Sequence, residues 1–121
     1  MIKMVMCINK HPNLSSEAFK DYWLNTHGPH FLKVAKDYRA KKYVQSHTID
    51  TQLNTKMRNI RGMSNGYDGI AEIWWESEDD YLQGLNSPMM KKHRMEFLAD
   101  EKKFVDLESS TLFFTEEHEL I

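Results

Sequence analysis

The sequence has a single cysteine, Cys7, no long apolar run and no excess of charge of either sign. One cysteine cannot form an internal disulfide, which predicts a reducing, cytoplasmic location. No apolar stretch approaches the roughly 20 residues of a membrane span, and the N-terminal residues are too mixed for a secretory signal. The 16 Lys and Arg against 18 Asp and Glu leave a net charge of −2, whereas nucleic-acid binding calls for a clear basic excess. We therefore expect neither a membrane nor a nucleic-acid partner.

The 121 residues are long enough for one domain, residues 1–121, with a hydrophobic core. Alternation of apolar and polar residues predicts four strands, and helical spacing predicts helices after the first and third of them. The predicted strands cover residues 2–9, 41–50, 67–76 and 109–115. The polar residues 51–66 are predicted to form a long loop, and residues 116–121 an acidic tail. The order β-α-β-β-α-β is that of a ferredoxin-like α+β fold, a four-stranded antiparallel sheet with its helices on one face.

The first helix is predicted to begin after Ser15 as its N-cap and to end at Gly28-Pro29, a pair that usually stops a helix. The residues that the helical spacing brings to one side are Phe19, Tyr22, Trp23, Thr26 and His27. His27 would then lie at the helix end, beside the sheet. It either carries out chemistry there or simply caps the helix through a backbone carbonyl.

The helix-free face of the sheet is predicted to be rich in aromatic and aliphatic groups. Alternation assigns to it Tyr43, His47, Asp68, Ile70, Glu72 and Trp74. Such a face needs a cover, and the simplest cover is the same face of a second copy in a two-fold homodimer.

Four residues are the candidates for catalysis: His27, Tyr43, His47 and Asp68. A neutral imidazole can take or give a proton near pH 7, a carboxylate can orient it, and a tyrosine can donate to a carbonyl or enolate oxygen. Asp68 precedes Gly69, so it could equally be a turn residue.

The candidates for substrate binding are Trp23, Phe31, Glu72 and Trp74. The aromatic groups would wall an apolar pocket, although core packing explains them as well. Glu72, inside a strand, needs a partner on an enclosed face, and His47 or Arg39 could supply it.

Nothing in the sequence predicts a metal or a cofactor. His27 and His30 are three residues apart, but the Gly-Pro pair between them removes a shared helical face. Cys7 lies within a strand without an activating base, as expected of an inert thiol. The basic residues Lys56, Arg58 and Arg61 could attract an anion, but they also fit a solvated loop.

Three blocks of sequence resemble the EthD family of dimeric α/β-barrel proteins. They are Phe19-x-x-Tyr22-Trp23-x-x-x-His27-Gly28-Pro29, Tyr43-Val-Gln45-x-His47 and Tyr67-Asp68-Gly69-Ile-Ala-Glu72-Ile-Trp74. The resemblance implies a dimeric barrel and adds weight to the four catalytic candidates. It also extends to small barrels of the methylmuconolactone methylisomerase type, which rearrange a lactone without a cofactor and use a histidine and a tyrosine that match His27 and Tyr43.

The resemblance implies a cofactor-independent catabolic or tailoring enzyme. It would use His27 for acid–base chemistry, namely isomerisation, lactone rearrangement or dehydration, on a small apolar ring compound. Two alternatives stay open. One is an oxidoreductase, either a cofactor-free monooxygenase or an accessory protein to a haem monooxygenase in xenobiotic degradation. The other is a non-catalytic ligand-binding barrel.

Overall fold

Four antiparallel strands and the helices between them make up the computed structural model, which describes residues 1–121. The strands are β1 (Ile2–Ile8), β2 (Lys42–His47), β3 (Gly69–Trp75) and β4 (Thr111–Thr115). The α-helices are α1 (Ser16–Tyr22), α2 (Gly28–Val34), α3 (Gln52–Ile60), α4 (Glu78–Leu85) and α5 (Pro88–Phe104), and a π-helical turn, Trp23–His27, joins α1 to α2. The sheet order is β2-β3-β1-β4. The predicted ferredoxin-like α+β fold is confirmed.

The first helix does not end at Gly28-Pro29, so that prediction is wrong. Gly28 keeps helical dihedrals (φ −52°, ψ −55°), and its N–H donates to the carbonyl of Trp23, five residues earlier. Pro29 is accepted because it follows directly on the wider turn Trp23–His27, where the regular hydrogen bonding of an α-helix is already interrupted. The predicted N-cap is confirmed, since the Ser15 side chain accepts from the N–H of Ala18. The helix thus passes through the Gly-Pro pair by means of one wider turn.

Residues 51–66 were predicted to be a loop, but the structure has α3 there. The Thr51 side chain accepts from the N–H of Leu53 and starts the helix, and Gly62, at φ +67°, follows its end. No residue of α3 is buried. Because α3 packs so little against the rest of the protein, it needs no apolar face, which explains the polar composition that predicted a loop.

The strand register overturns one prediction about the sheet faces. Tyr43 pairs with Ile73 and His47 with Gly69, so both side chains lie on the face of Ala71 and Ile73. That face is covered by the helices: Trp23 packs so closely on Gly69 that an added Cβ would lie 2.5 Å from its ring. Tyr43 and His47 are therefore not on the helix-free face. Alternation alone cannot relate one strand to its neighbour, because a shift of one residue in register exchanges the faces.

The helix-free face, which we call the open face, carries Ile70, Glu72 and Trp74 of the predicted set. Its members, assigned from the register, include Lys3, Val5, Cys7, Val44, Ile70, Glu72, Trp74 and Phe113. Ile70 and Phe113 are 38% and 46% exposed. None of the helices is long and apolar enough to cross a membrane.

The core lies between the helix-covered face and the helices, in two clusters. One cluster contains Ile8, Phe19, Trp23, Ala71, Phe104 and Val105, and the other contains Met4, Phe31, Ile73 and Trp75. Trp75 is fully buried, and its indole N–H donates to the carbonyl of Tyr38 at 2.7 Å. Gly84 lets α4 approach this segment, because a Cβ there would lie 2.1 Å from the Tyr38 carbonyl oxygen.

Candidate active site between the sheet and the helices

A cavity of about 250 Å³ lies between the helix-covered face and helices α2, α4 and α5. Fourteen of its 17 lining residues are hydrophobic, and the other three are His27, Arg94 and Glu101. Cavities of about 150 Å³ lined by apolar groups can hold benzene. This cavity therefore has room for a small apolar compound of one or two rings.

His27 contacts a buried carboxylate at the wall of the cavity. Its Nδ1 lies 2.7 Å from Oδ2 of Asp100 on α5, with the two side chains 12% and 9% exposed. The Tyr22 hydroxyl donates to the other oxygen, Oδ1, of the same carboxylate. Asp100 is the only charged residue of the chain that is buried, and both of its oxygens have a partner.

The π-helical turn explains how Tyr22 and His27 reach one carboxylate. Side chains five residues apart on an ideal α-helix point about 140° away from each other. The residues Trp23–His27 form a wider turn, which reduces this angle. The His27 ring then packs on Phe104, with the ring centroids 4.9 Å apart.

The charges of this cluster favour one tautomer of the His27 imidazole. Burial alone would raise the pKa of Asp100, but the hydrogen bonds from Tyr22 and His27 outweigh burial and keep that pKa below its ordinary value. Burial first, and then the Asp100 carboxylate, raise the pKa of Tyr22 to about 12. An ionised carboxylate only accepts, so Nδ1 of His27 carries the hydrogen. Its Nε2 is then the atom that can take a proton.

Tyr43 lines the same cavity, and a glutamine holds its hydroxyl. Gln45 Nε2 donates to the Tyr43 oxygen and to the Trp23 carbonyl, each at 2.8 Å. Burial raises the pKa of Tyr43, while the hydrogen bond from Gln45 opposes this rise. Because the oxygen already accepts from Gln45, the hydroxyl hydrogen can be donated to a bound oxygen atom.

Glu101 is the second acidic group of the cavity. It follows Asp100 on α5 and lines the cavity itself. Burial first, and next the charge of Asp100, raise the pKa of Glu101 to about 6. A carboxyl group with this pKa exchanges protons readily near neutral pH.

The model of the EthD domain matches residues 11–108 of the chain. The chain belongs to the EthD family. No curated protein sequence matches it. Among solved structures, it is similar to an EthD family protein from Bacillus halodurans, with 17% identity, a TM-score of 0.65, and 98% of this chain and 99% of that chain covered.

Two further structures share the fold of this EthD chain at lower identity. One is SnoaB, a cofactor-independent oxygenase from Streptomyces nogalater, with 9% identity, a TM-score of 0.60, and 99% of this chain and 95% of that chain covered. The other is a dimeric ferredoxin-like protein of unknown function from Thermobifida fusca, with 8% identity, a TM-score of 0.52, and 94% and 88% covered.

Three of the eight candidate residues of the EthD chain line the cavity: His27, Phe31 and Tyr43. His47 does not line it. The His47 ring stacks on Trp23, with centroids 4.4 Å apart, and its Nε2 contacts Gln45 Oε1 at 2.8 Å. Burial first, and then Lys20, lower the pKa of His47. His47 therefore reaches Tyr43 only through Gln45.

The other candidates lie away from the cavity. Asp68 Oδ2 accepts from the backbone N–H of Lys10 at 2.7 Å, as a structural residue would. Trp23 is buried in the core and 1% exposed. Its carbonyl, not its ring, connects it to the site through Gln45.

Glu72 and Trp74 lie on the open face. Glu72 pairs with Lys3 at 2.6 Å, so the expected partners His47 and Arg39 were wrong. The indole N–H of Trp74 donates to Glu117 of the C-terminal tail, and Lys3 lies 5.3 Å from its ring centroid. No three His, Cys, Asp or Glu side chains come together in a way that could hold a metal ion.

Sequence reasoning missed that Tyr22 and His27 share the Asp100 carboxylate, and it missed Asp100, Glu101 and Arg94 altogether. One signal was present: Asp100 falls on the buried side of α5, three residues after Phe97 and four before Phe104. A carboxylate on an apolar stripe requires a buried partner, and His27 was an unpaired candidate on another helix.

Proposed function

We propose that this EthD protein is a cofactor-independent enzyme that moves protons on a small apolar ring compound bearing a carbonyl or lactone oxygen. The observation that carries the proposal is the hydrogen-bonded His27–Asp100 pair on the wall of a cavity in which 14 of the 17 lining residues are hydrophobic. An imidazole oriented by a carboxylate is the arrangement of a general base. Isomerisation, lactone rearrangement and dehydration are reactions that such proton transfers can bring about.

Each group has a role in the proposed reaction. His27 Nε2 removes a proton from a carbon next to the carbonyl, and the Tyr43 hydroxyl donates to the oxygen on which negative charge develops. Asp100 is a positioning residue, which keeps the hydrogen on Nδ1 and stabilises the imidazolium that forms. The apolar walls, with Phe31 among them, bind the ring and exclude water.

Exchange of protons for deuterium tests the proposal without knowledge of the natural substrate. Cyclohexanone in D₂O should exchange its α-protons faster with the wild-type protein than without it, as followed by proton NMR. His27→Ala should lose this acceleration, by roughly 100-fold or more, and Tyr43→Phe should reduce it. His118→Ala, in the exposed tail, is the matched control. Equal rates for the wild type and His27→Ala would contradict the proposal.

A second function, cofactor-free oxygenation, has support from the similarity to SnoaB, a cofactor-independent oxygenase. It would begin with the same proton removal by His27, because a carbanion or phenolate can then reduce molecular oxygen. Oxygen consumption with quinols, measured with an electrode, distinguishes the two functions. A third possibility, a ligand-binding barrel without catalysis, has less support because His27 and Tyr43 both line the cavity.

The same proposal includes a homodimer formed through the open face, and a cytoplasmic location for a single domain of residues 1–121. The exposed Ile70 and Phe113 on the open face, and the dimeric relative from Thermobifida fusca, support the dimer. The lone Cys7 supports a reducing compartment.

A further inference from the structure

We propose that Glu101 is a second catalytic residue, which delivers a proton to a different substrate atom from the one that His27 deprotonates. The inference rests on the proposed function of the same cavity. It narrows the substrate to ring carbonyl compounds in which a proton moves between two positions, such as β,γ-unsaturated ketones or lactones.

The first support is the direction of the two neighbouring carboxylates of α5. Successive residues of an α-helix point about 100° apart. Each carboxylate oxygen of Asp100 has a hydrogen-bond partner, Tyr22 or His27. Glu101 lines the cavity and has no side-chain partner. One carboxylate therefore orients the base, and the other is available to a ligand.

The second support is the set of groups around the cavity. The ionisable residues that face it are His27, Tyr38, Tyr43, Tyr81, Arg94 and Glu101, with Asp100 behind His27. The negative charge of Glu101 contributes to the raised pKa values of both Tyr38 and Tyr43, after burial as the main cause. Glu101 thus lies near the tyrosine that would hold the substrate oxygen. Its own pKa of about 6 means that the neutral acid is present at a useful level near neutral pH.

The proposed proton transfers balance. His27 Nε2 takes a proton from the α-carbon, and the electrons of that C–H bond form an extended enolate whose oxygen accepts from Tyr43. The Glu101 carboxyl gives its proton to the γ-carbon, so the double bond moves into conjugation with the carbonyl. Imidazolium and carboxylate remain, and one proton returning through water restores both groups.

The test compares two reactions of simple ring ketones. Conversion of 3-cyclohexen-1-one to 2-cyclohexen-1-one needs a proton removed at one carbon and delivered at another, and ultraviolet absorbance follows it. Exchange of the α-protons of cyclohexanone needs one carbon only. Glu101→Gln should reduce isomerisation by about 100-fold or more, with a much smaller effect on exchange. Glu96→Gln, exposed on the same helix, is the matched control.

The outcomes separate this inference from the proposed function. Isomerisation by Glu101→Gln within about threefold of the wild type, or an equal loss of both reactions, would overturn the role of Glu101. If the wild type accelerates neither reaction, the role of Glu101 falls with the proposed function; if it accelerates exchange but not isomerisation, the role of Glu101 is overturned while the proposed function stands.

Discussion

His27 Nδ1 and Asp100 Oδ2 lie 2.7 Å apart, although 73 residues separate them in the chain. The contact joins the π-helical turn to α5, which pack together over the helix-covered face of the sheet. It fixes which nitrogen of His27 carries the hydrogen, and His27 in turn lines the cavity. The pair is therefore both a structural contact and the basis of the proposed chemistry.

Replacing Asp100 by asparagine should separate these two roles. In Asp100→Asn the amide can donate to Nδ1, which favours the wrong tautomer of His27 and places a hydrogen on Nε2. We expect kcat for α-proton exchange to fall by about 100-fold to 10,000-fold with little change in KM. The ¹⁵N chemical shifts of His27 report the tautomer directly. Asp37→Asn, an exposed change, is the control. An unchanged tautomer and an unchanged kcat would contradict the positioning role.

Removing the Tyr22 hydroxyl should act on stability through Asp100. In Tyr22→Phe, Oδ1 of Asp100 loses its donor while it stays buried. The free energy of unfolding should fall by about 1–3 kcal/mol in urea titrations, because a buried acceptor is left without a partner. Tyr67→Phe, at a residue 41% exposed, should leave the free energy of unfolding unchanged. Equal stability of both variants would mean that the Tyr22–Asp100 hydrogen bond contributes nothing.

Glu101 should leave a signature in the pH dependence of stability. Its pKa is about 6 in the folded protein against an ordinary value of 4.5, so the folded state holds more protons between these values. Stability contributed by neutral Glu101 is therefore complete below pH 4.5 and lost as the pH rises through 6, by about 2 kcal/mol in total. Glu101→Gln should lack this loss in urea titrations from pH 4 to 7. Asp100 acts at lower pH and with the opposite sign, because its pKa is lowered, so the two effects do not overlap.

A slope that persists in Glu101→Gln between pH 4.5 and 6 would show that another group causes it. Glu96→Gln provides the comparison, since its side chain is 74% exposed and its removal should leave the slope in place.

The sequence predicted the order of strands and helices because each depends on local signals. Ser15, Ser77 and Ser87 each cap a helix as their residue type favours. The Gly28-Pro29 pair misled because local signals favour a break there, whereas the packing of Trp23 in the core keeps the helix continuous.

Sequence reasoning identified residues of the candidate site only where the chemistry of a single side chain was enough to suggest a role. His27 and Tyr43 were found by their chemistry and by the resemblance to the EthD family. Asp100 depends on a contact between two distant helices, which no local pattern reports. His47 and Glu72 were predicted to share one face of the sheet, but they lie on opposite faces. This error also comes from a non-local contact, since the register between β2 and β3 decides on which face each side chain lies.

The open face should be the dimer interface, and one charge placed there should separate the copies. Ile70 is 38% exposed and lies on the inner strand β3, where it pairs with Cys7 of β1 and Ser46 of β2. A carboxylate in Ile70→Asp would be buried without a partner in a sheet-to-sheet dimer, which costs several kcal/mol. In light scattering, we expect the mass to fall from twice the chain mass to the 14.4 kDa of one chain, with the circular dichroism unchanged. Leu32→Asp, on α2 and 66% exposed, should remain dimeric. A wild-type protein of 14.4 kDa, or a dimeric Ile70→Asp, would contradict the assignment of the interface to this face.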